Sequence, residues 1–397
     1  LLAAAPLASR DVYSYLMQGA MVRDGFDPYT EGAAVNPGPF LLEVSHDWRN
    51  TTTPYGPLHL WMGNAVTHLV GDHVAAGIIV YKAISVLGFA AIAWSIPRLA
   101  RSIGGDPSLA LWLGVANPVM ILHLIGGMHN ESVMVGLVSV GLLAAVHHRF
   151  HASLLLVGVA VSLKATAVIA APFIVWLMVH RWAPDGTRMV KRVGIFLMAG
   201  VLAVAEVAVA VAVITWASGS SWGWLSQISG NSKVINPLAG PTLLADVLVP
   251  LIQFFSPDTT YNDVLGVLRS AGMVLMLLGL VLVWWWGRTG VRRAIAGTAA
   301  AYQVAFVFNS VTLPWYYASV LTLMGTFRPP LSIIKLTTGA ALFIGVAFAG
   351  DGNHQLYNWF WVIGMIVVAW TATQWIFAGV PSSATASTKK PTPARAE

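Results

Sequence analysis

Asp11 is the first residue to weigh for chemistry. It stands in Ser9-Arg10-Asp11-Val12-Tyr13-Ser14-Tyr15, just past an apolar run, where the chain leaves a membrane. An aspartate opening a helix is a good cap. An ionisable group beside an intramembrane cavity is also a site candidate, and one residue can serve both ends. Gly126-Gly127-Met128-His129-Asn130-Glu131 puts an imidazole, an amide and a carboxylate in succession at a turn. His129, Asn130 and Glu131 can bind sugar hydroxyls, tune Asp11 or contribute to a metal site, although this spacing alone supplies too few ligands for a metal. Lys164 lies in Val159-Ala160-Val161-Ser162-Leu163-Lys164-Ala165-Thr166 with no acid within a helical turn. An uncompensated ammonium there costs at least ~2.5 kcal/mol. Its expected partner is Glu206, stranded in Leu202-Ala203-Val204-Ala205-Glu206, or the phosphate of a lipid. Trp315, Tyr316 and Tyr317, beside Pro314, can stack on a sugar ring, line a lipid groove or simply belong to an interfacial belt.

The elements that must hold these residues follow from composition. Hydrophobic residues make up 57% of 397 and charged residues 10%, against about a quarter charged in soluble domains. Apolar runs cover almost the whole chain, so one all-α integral-membrane bundle is expected, spanning 1–379, with a disordered cytoplasmic tail at 380–397. The net charge of +6 would suggest nucleic acid for a soluble protein; here the cations belong to the loops of one membrane face. No cysteine is present, which removes disulfides, thiolate metal sites and thiol nucleophiles.

Leu1 to Leu7 reads as the tail of a transmembrane helix. Residues 8–74 form a first outer loop with short interfacial helices; in one of these Leu58, Trp61, Met62, Ala65, Val66 and Leu69 make the apolar face and His59, Asn64 and His68 the other. Spans are expected at 75–97, 109–125, 132–146, 193–216, 264–286, 295–313, 331–349 and 356–377. Between His151 and Arg181 lie about 29 residues and from Pro314 to Phe327 about 14, where each crossing needs ~20. Alternation puts Arg98, Arg101, Arg149, Arg181, Arg188, Lys191, Arg192, Arg288, Arg292, Arg293, Arg328 and Lys335 on one side. That side is the cytoplasm, and Asp11, Asp24, Asp27, Glu131 and Asp246 fall opposite. Lys164, the 126–131 turn and Thr312-Leu313-Pro314-Trp315-Tyr316-Tyr317 then become apices on short arms, sunk below the outer surface, which requires a protein-lined cavity. Trp315 and Trp224 count with the outer tryptophan belt, Lys82 snorkels, and Leu243 to Phe255 is a short re-entrant or interfacial piece in a second outer segment, 218–263.

With Gly25-Phe26-Asp27-Pro28-Tyr29 and Thr53-Pro54-Tyr55-Gly56-Pro57 added to the two motifs above, the chain resembles the actinobacterial polyprenyl-phosphomannose-dependent α(1→6)-mannopyranosyltransferases. The resemblance implies a type C glycosyltransferase bundle of about 11–13 transmembrane helices, in the plasma membrane, with an extracytoplasmic active site. It implies an inverting mannosyltransferase that uses polyprenyl-phosphate-mannose to build the α(1→6) backbone of lipomannan and lipoarabinomannan on a mannan or phosphatidylinositol-mannoside acceptor. The catalytic carboxylate near the start of the first loop maps onto Asp11, as general base. Lys164 and Arg10 are expected on the donor phosphate, and His129, Asn130, Glu131, Trp315, Tyr316, Tyr317 and Tyr55 on sugar or acceptor. No metal or other cofactor is expected, because cationic side chains can neutralise a monophosphate leaving group. A type C transferase for another polyprenyl-phosphate sugar is the nearest alternative; a lipid-linked sugar flippase should show repeated halves, which this chain lacks.

Overall fold

The computed structural model describes residues 4–230 and 234–380. The expected tail therefore lies outside the described residues except for Val380, as do Leu1 to Ala3. The helices are α1 (Asp11–Arg23), α2 (Pro39–Glu43), α3 (Pro57–Val70), α4 (Val74–Ser102), α5 (Pro107–Gly114), a π-helix (Val119–Gly126), α6 (Glu131–Val146), α7 (Phe150–Leu163) and α8 (Ala171–Trp182). After them come α9 (Met189–Ser218), α10 (Trp224–Gly230), α11 (Gly240–Phe255), α12 (Tyr261–Gly287), α13 (Val291–Phe308), α14 (Ala318–Met324), α15 (Leu331–Gly345) and α16 (Trp359–Ile376). Local signals set their ends. Proline opens α3, α5 and α11, Asp106 accepts from the Ser108 and Leu109 amides, and Thr260 and Asp263 form a capping box on α12.

Five of these segments are long and apolar enough to cross a membrane, or six if α5 and the π-helix count as one broken span. These five are α4, the 165–182 segment that ends in α8, α9, α12 and α16; α6, α7 and α15 are shorter apolar helices. The expected straight span at 109–125 is instead bent by 58°. Asn117 and Pro118 cause the break: Pro118 cannot continue the α5 hydrogen-bond ladder, and Asn117 turns its amide onto Leu113 O at 2.7 Å. Contacts at the loops follow the expected alternation. On one face Arg292 bonds to Ile103 O and Ser102 to His147; on the other Thr52 bonds to Gln227 and Tyr357 to Asp246. Lipid exposure is heaviest on α9, α12 and α16, whose most apolar windows are only 22%, 11% and 17% buried.

Where helices must touch closely, glycine allows it. A Cβ on Gly19 of α1 would fall 2.3 Å from the Gly63 backbone of α3, and one on Gly88 of α4 would fall 2.6 Å from Ser132 of α6, the small-residue contact that lets membrane helices pack.

Several expectations are corrected. Trp315 and Trp224 are buried rather than in a belt, and Lys82 does not snorkel, being 5% exposed with Nζ donating to Ala4 O at 3.2 Å. The buried side of α3 mixes both expected faces: His59, Leu60, Gly63, Val66 and Thr67 are buried while Trp61, Ala65, His68 and Leu69 are exposed. The division is set by the close contact of α3 with α1 at Gly19 and Gly63 and by the bond from His59 to Gln18. α11 is amphipathic in the ordinary sense, with Thr242, Ala245 and Val249 inward and Leu244, Leu251 and Phe255 outward.

The end of α1 is pinned by charge. Arg23 donates to Asp24 at 2.7 Å and to Asp72 at 2.8 Å, linking α1 to the turn after α3. The hydrogen bond from Arg23 holds the Asp24 carboxyl below its ordinary value. A depressed carboxylate stabilises the fold above its unfolded value, near ~3.9, and loses that contribution as pH falls through the folded value. The half-exposed pair is worth about 0.2–1 kcal/mol. Asp24→Asn is therefore expected to lower thermal stability slightly at pH 7 and to have no effect well below the carboxylate range, measured by melting in detergent.

Candidate active site

The three apices meet. The tips of the short arms pack on one another beneath the first loop, where Gly56 N donates to Leu163 O at 3.1 Å. Lys164 Nζ donates to the Glu131 carboxylate, joining the end of α7 to the start of α6. Its ammonium lies 4.0 Å from the centre of the Tyr316 ring and 5.6 Å from that of Tyr55. His129 stacks on Trp315 at 3.6 Å with planes 15° apart. Glu131, not Glu206, is thus the partner of Lys164; Glu206 sits on His151 at 2.5 Å. Sequence spacing could not choose between the two acids, since neither is local to Lys164 and Glu131 reaches it only through the packing of α6 on α7.

Asp11 closes this cluster from above. Leu7 N donates to Gly126 O at 3.1 Å, which ties the segment before α1 to the 126–131 turn. The Asp11 amide donates to Ser9 Oγ at 3.1 Å, so Ser9 serves the helix start. The carboxylate turns inward, and Oδ2 lies 3.4 Å from His129 Nδ1. His129 is fully buried, and Met128 before it adopts φ 55°. That left-handed conformation is unusual for a side chain of this size. It turns the chain so that His129 points at Asp11 while Met128 stays in the core.

In front of Asp11 opens a cavity of about 330 Å³, lined by Asp11, Gln18, Asn50, Thr52, Tyr55 and Tyr316 among others. Of the expected site residues, Asp11, Tyr55 and Tyr316 line it. His129 backs Asp11, Trp315 backs His129, and the Lys164–Glu131 pair stands behind the two tyrosines. Tyr317 packs against Phe306 instead. Arg10 is turned away: its guanidinium is exposed and bonded to Glu43, at 2.7 Å to the backbone oxygen, so it does not face the cavity.

Asn130 enters through a relay that the sequence did not reveal. Asn130 Nδ2 donates to His59 Nδ1 at 2.8 Å, and His59 Nε2 donates to Gln18 Oε1 at 2.7 Å. Burial pushes the His59 imidazole down to about 3 and keeps it neutral, so one ring nitrogen accepts and the other donates. Gln18 is left with its amide NH₂ for the cavity. His59 is missed from sequence because the pattern does not distinguish it from His68, which shares its expected side of α3 and is exposed. His123, fully buried and 5.8 Å from Trp315 between ring centres, is a lone histidine in an apolar run, a signal that was available. His59→Leu leaves the buried Asn130 amide and the half-buried Gln18 oxygen without this partner, so a loss of about 1–3 kcal/mol is expected; an unchanged melting temperature would remove the relay.

Gly56 sets the spacing of Tyr55 from Lys164. Its amide donates to Leu163 O at 3.1 Å, and a Cβ there would lie 2.3 Å from Ser162 O. Gly56→Ala is expected to push the first loop off α7 at a cost of about 1–3 kcal/mol, seen as faster tryptic cleavage after Arg49.

A bundle of spanning and sunken helices around one carboxylate, a buried amine and an aromatic-walled cavity defines an integral-membrane enzyme. Residues 1–180 match the family model described as "Alpha-(1->6)-mannopyranosyltransferase, N-terminal domain", and residues 241–378 match "MptB C-terminal domain". The chain is 59% identical to Alpha-(1->6)-mannopyranosyltransferase A of Corynebacterium glutamicum, over 99% of this chain and 82% of that protein. It is 37% identical to Alpha-(1->6)-mannopyranosyltransferase A of Mycobacterium tuberculosis, over 91% of this chain and 70% of that one. Similarity to Alpha-(1->6)-mannopyranosyltransferase B of C. glutamicum is lower, 28% over 86% of this chain and 60% of that one. The chain belongs to the alpha-(1->6)-mannopyranosyltransferase family and is a glycosyltransferase, with the all-helical, multi-pass architecture of type C enzymes.

Proposed function

We propose that this chain is an inverting mannosyltransferase that moves mannose from polyprenyl-phosphate-mannose to the 6-hydroxyl of a lipid-anchored mannan, extending the α(1→6) backbone of lipomannan and lipoarabinomannan. The observation that carries the reading is the inward-facing Asp11 carboxylate, backed at 3.4 Å by a buried histidine and opening onto a cavity with a tyrosine wall. Asp11 accepts the proton of the attacking hydroxyl. The new bond forms between that oxygen and the anomeric carbon while the carbon–oxygen bond to phosphate breaks, and the electron pair leaves with the polyprenyl phosphate. Attack opposite the phosphate turns a β-linked donor into an α-linked product.

Lys164 has three N–H donors, one of them engaged by Glu131; the others supply positive charge for the leaving phosphate. Tyr55 and Tyr316 bind sugar faces and the Gln18 amide a hydroxyl oxygen. The scheme gives no step to a metal; among the described residues no three metal-type side chains gather. The active site faces the outside of the plasma membrane, a reading supported by the arginine-rich loops at the opposite ends of the helices.

The test is to give the purified chain polyprenyl-phosphate-mannose and a short α(1→6) mannoside, with and without chelator. A new α(1→6) bond in both arms is expected. A product of other linkage, or turnover only with a different lipid-linked sugar, would overturn the assignment.

A further inference from the structure

A second concavity lies far from Asp11. It measures about 620 Å³ and is formed where the distal ends of α4 and α6 adjoin. Since α6 runs 16 residues from Glu131 to Val146, the groove sits about 24 Å along that helix from the active-site end, at 1.5 Å per residue. Its rim carries Arg98, Arg101 and Arg149, all exposed. None of the three is within ion-pair distance of a carboxylate among the described residues. Three guanidinium groups around one hollow repel one another unless an anion lies between them. The Arg98 guanidinium stands 4.6 Å from the Trp94 ring centre and donates to Trp94 O at 2.6 Å, so it is held over the hollow rather than free to swing away.

The inner wall is of a different kind. Val140 and Ala144 of α6 face the hollow beside these cations and are half-buried. They belong to a membrane helix, so the wall continues into the hydrocarbon layer. Trp94 marks the boundary between the two zones, where tryptophan ordinarily sits. A ligand that satisfies both zones carries a phosphate and an acyl chain; an inorganic anion would use the cations and leave the apolar wall uncovered.

We propose that this groove binds the headgroup of an anionic phospholipid from the leaflet opposite the active site, with phosphate between the three arginines and an acyl chain along Val140 and Ala144. Guanidinium forks match phosphate oxygens in pairs, and basic pockets between membrane helices are suited to such headgroups. The site is independent of the sugar chemistry and does not rest on the donor or acceptor proposed above.

The test uses the full chain in detergent, with phosphatidylglycerol or phosphatidylcholine added and bound lipid counted by native mass spectrometry. Selective retention of phosphatidylglycerol is expected. Each arginine near the surface contributes about fivefold, so R98Q/R101Q/R149Q is expected to bind roughly 100-fold more weakly. R98K/R101K/R149K keeps the charge and is expected to retain most of the binding, which separates loss of the site from loss of the fold. R181Q/R188Q/K191Q, which removes the same charge from the same membrane face outside the groove, is expected to bind as the parent does. Equal retention of the two lipids, full binding by the glutamine variant, or equal loss in the control variant would overturn the proposal. Displacement by inorganic phosphate at matched concentration would overturn it too, by assigning a simple anion site.

Discussion

Asp11→Asn is expected to lower kcat for sugar transfer by about 10²–10⁴-fold, the range for removing a positioned general base, with little change in melting temperature. Two features make the variant clean. The helix start is served by Ser9, whose Oγ accepts the Asp11 amide at 3.1 Å, so α1 keeps its local hydrogen bond. The asparagine also keeps the shape and the 3.4 Å approach to His129, losing only the ability to hold a proton at that position. KM for the acceptor is expected to move far less than kcat, because the sugar contacts lie on Gln18, Tyr55 and Tyr316. Turnover within tenfold of the parent would transfer the role of base to another group.

The second large effect concerns the Lys164–Glu131 pair. Removing one member leaves the other charged and buried, a loss of about 3–5 kcal/mol, so Lys164→Met and Glu131→Gln should each be strongly destabilised in thermal melts. The double variant leaves no orphan charge and is expected to recover most of that stability. Stability and chemistry then separate: if Lys164 also neutralises the leaving phosphate, the stable double variant remains inactive. If it regained parental turnover, the pair would be a structural strut and the phosphate would find its counter-charge elsewhere.

Much of this centre was legible because membranes make irregularity expensive. Arms too short to cross had to end in sunken apices at Gly126–Glu131, Lys164 and Thr312–Tyr317, and the structure joins all three through Lys164–Glu131, Lys164–Tyr316 and His129–Trp315. Which residues pair was not legible. Glu206 looked like the stranded partner of Lys164 because both were acids and bases without local company, yet only the packing of α6 against α7 decides that Glu131 arrives. His59 was lost for a different reason. His59 and His68 share one side of α3 in the sequence pattern, yet only His59 is buried, because it lies where α3 packs on α1 and bonds to Gln18. Arg10 shows the limit of adjacency: one residue from Asp11, it points the other way, to Glu43.

The roof over the cavity has a kinetic meaning. From the 218–263 segment, Gln227 hydrogen-bonds to the first loop by a matched pair of bonds, Nε2 to Tyr29 O at 2.9 Å and Oε1 from Thr52 at 2.6 Å. Two such bonds together are worth about 2 kcal/mol, so the latch stands open on the order of a few per cent of the time. On the proposed function, that opening would admit an acceptor from the side, without end-first threading through a closed ring.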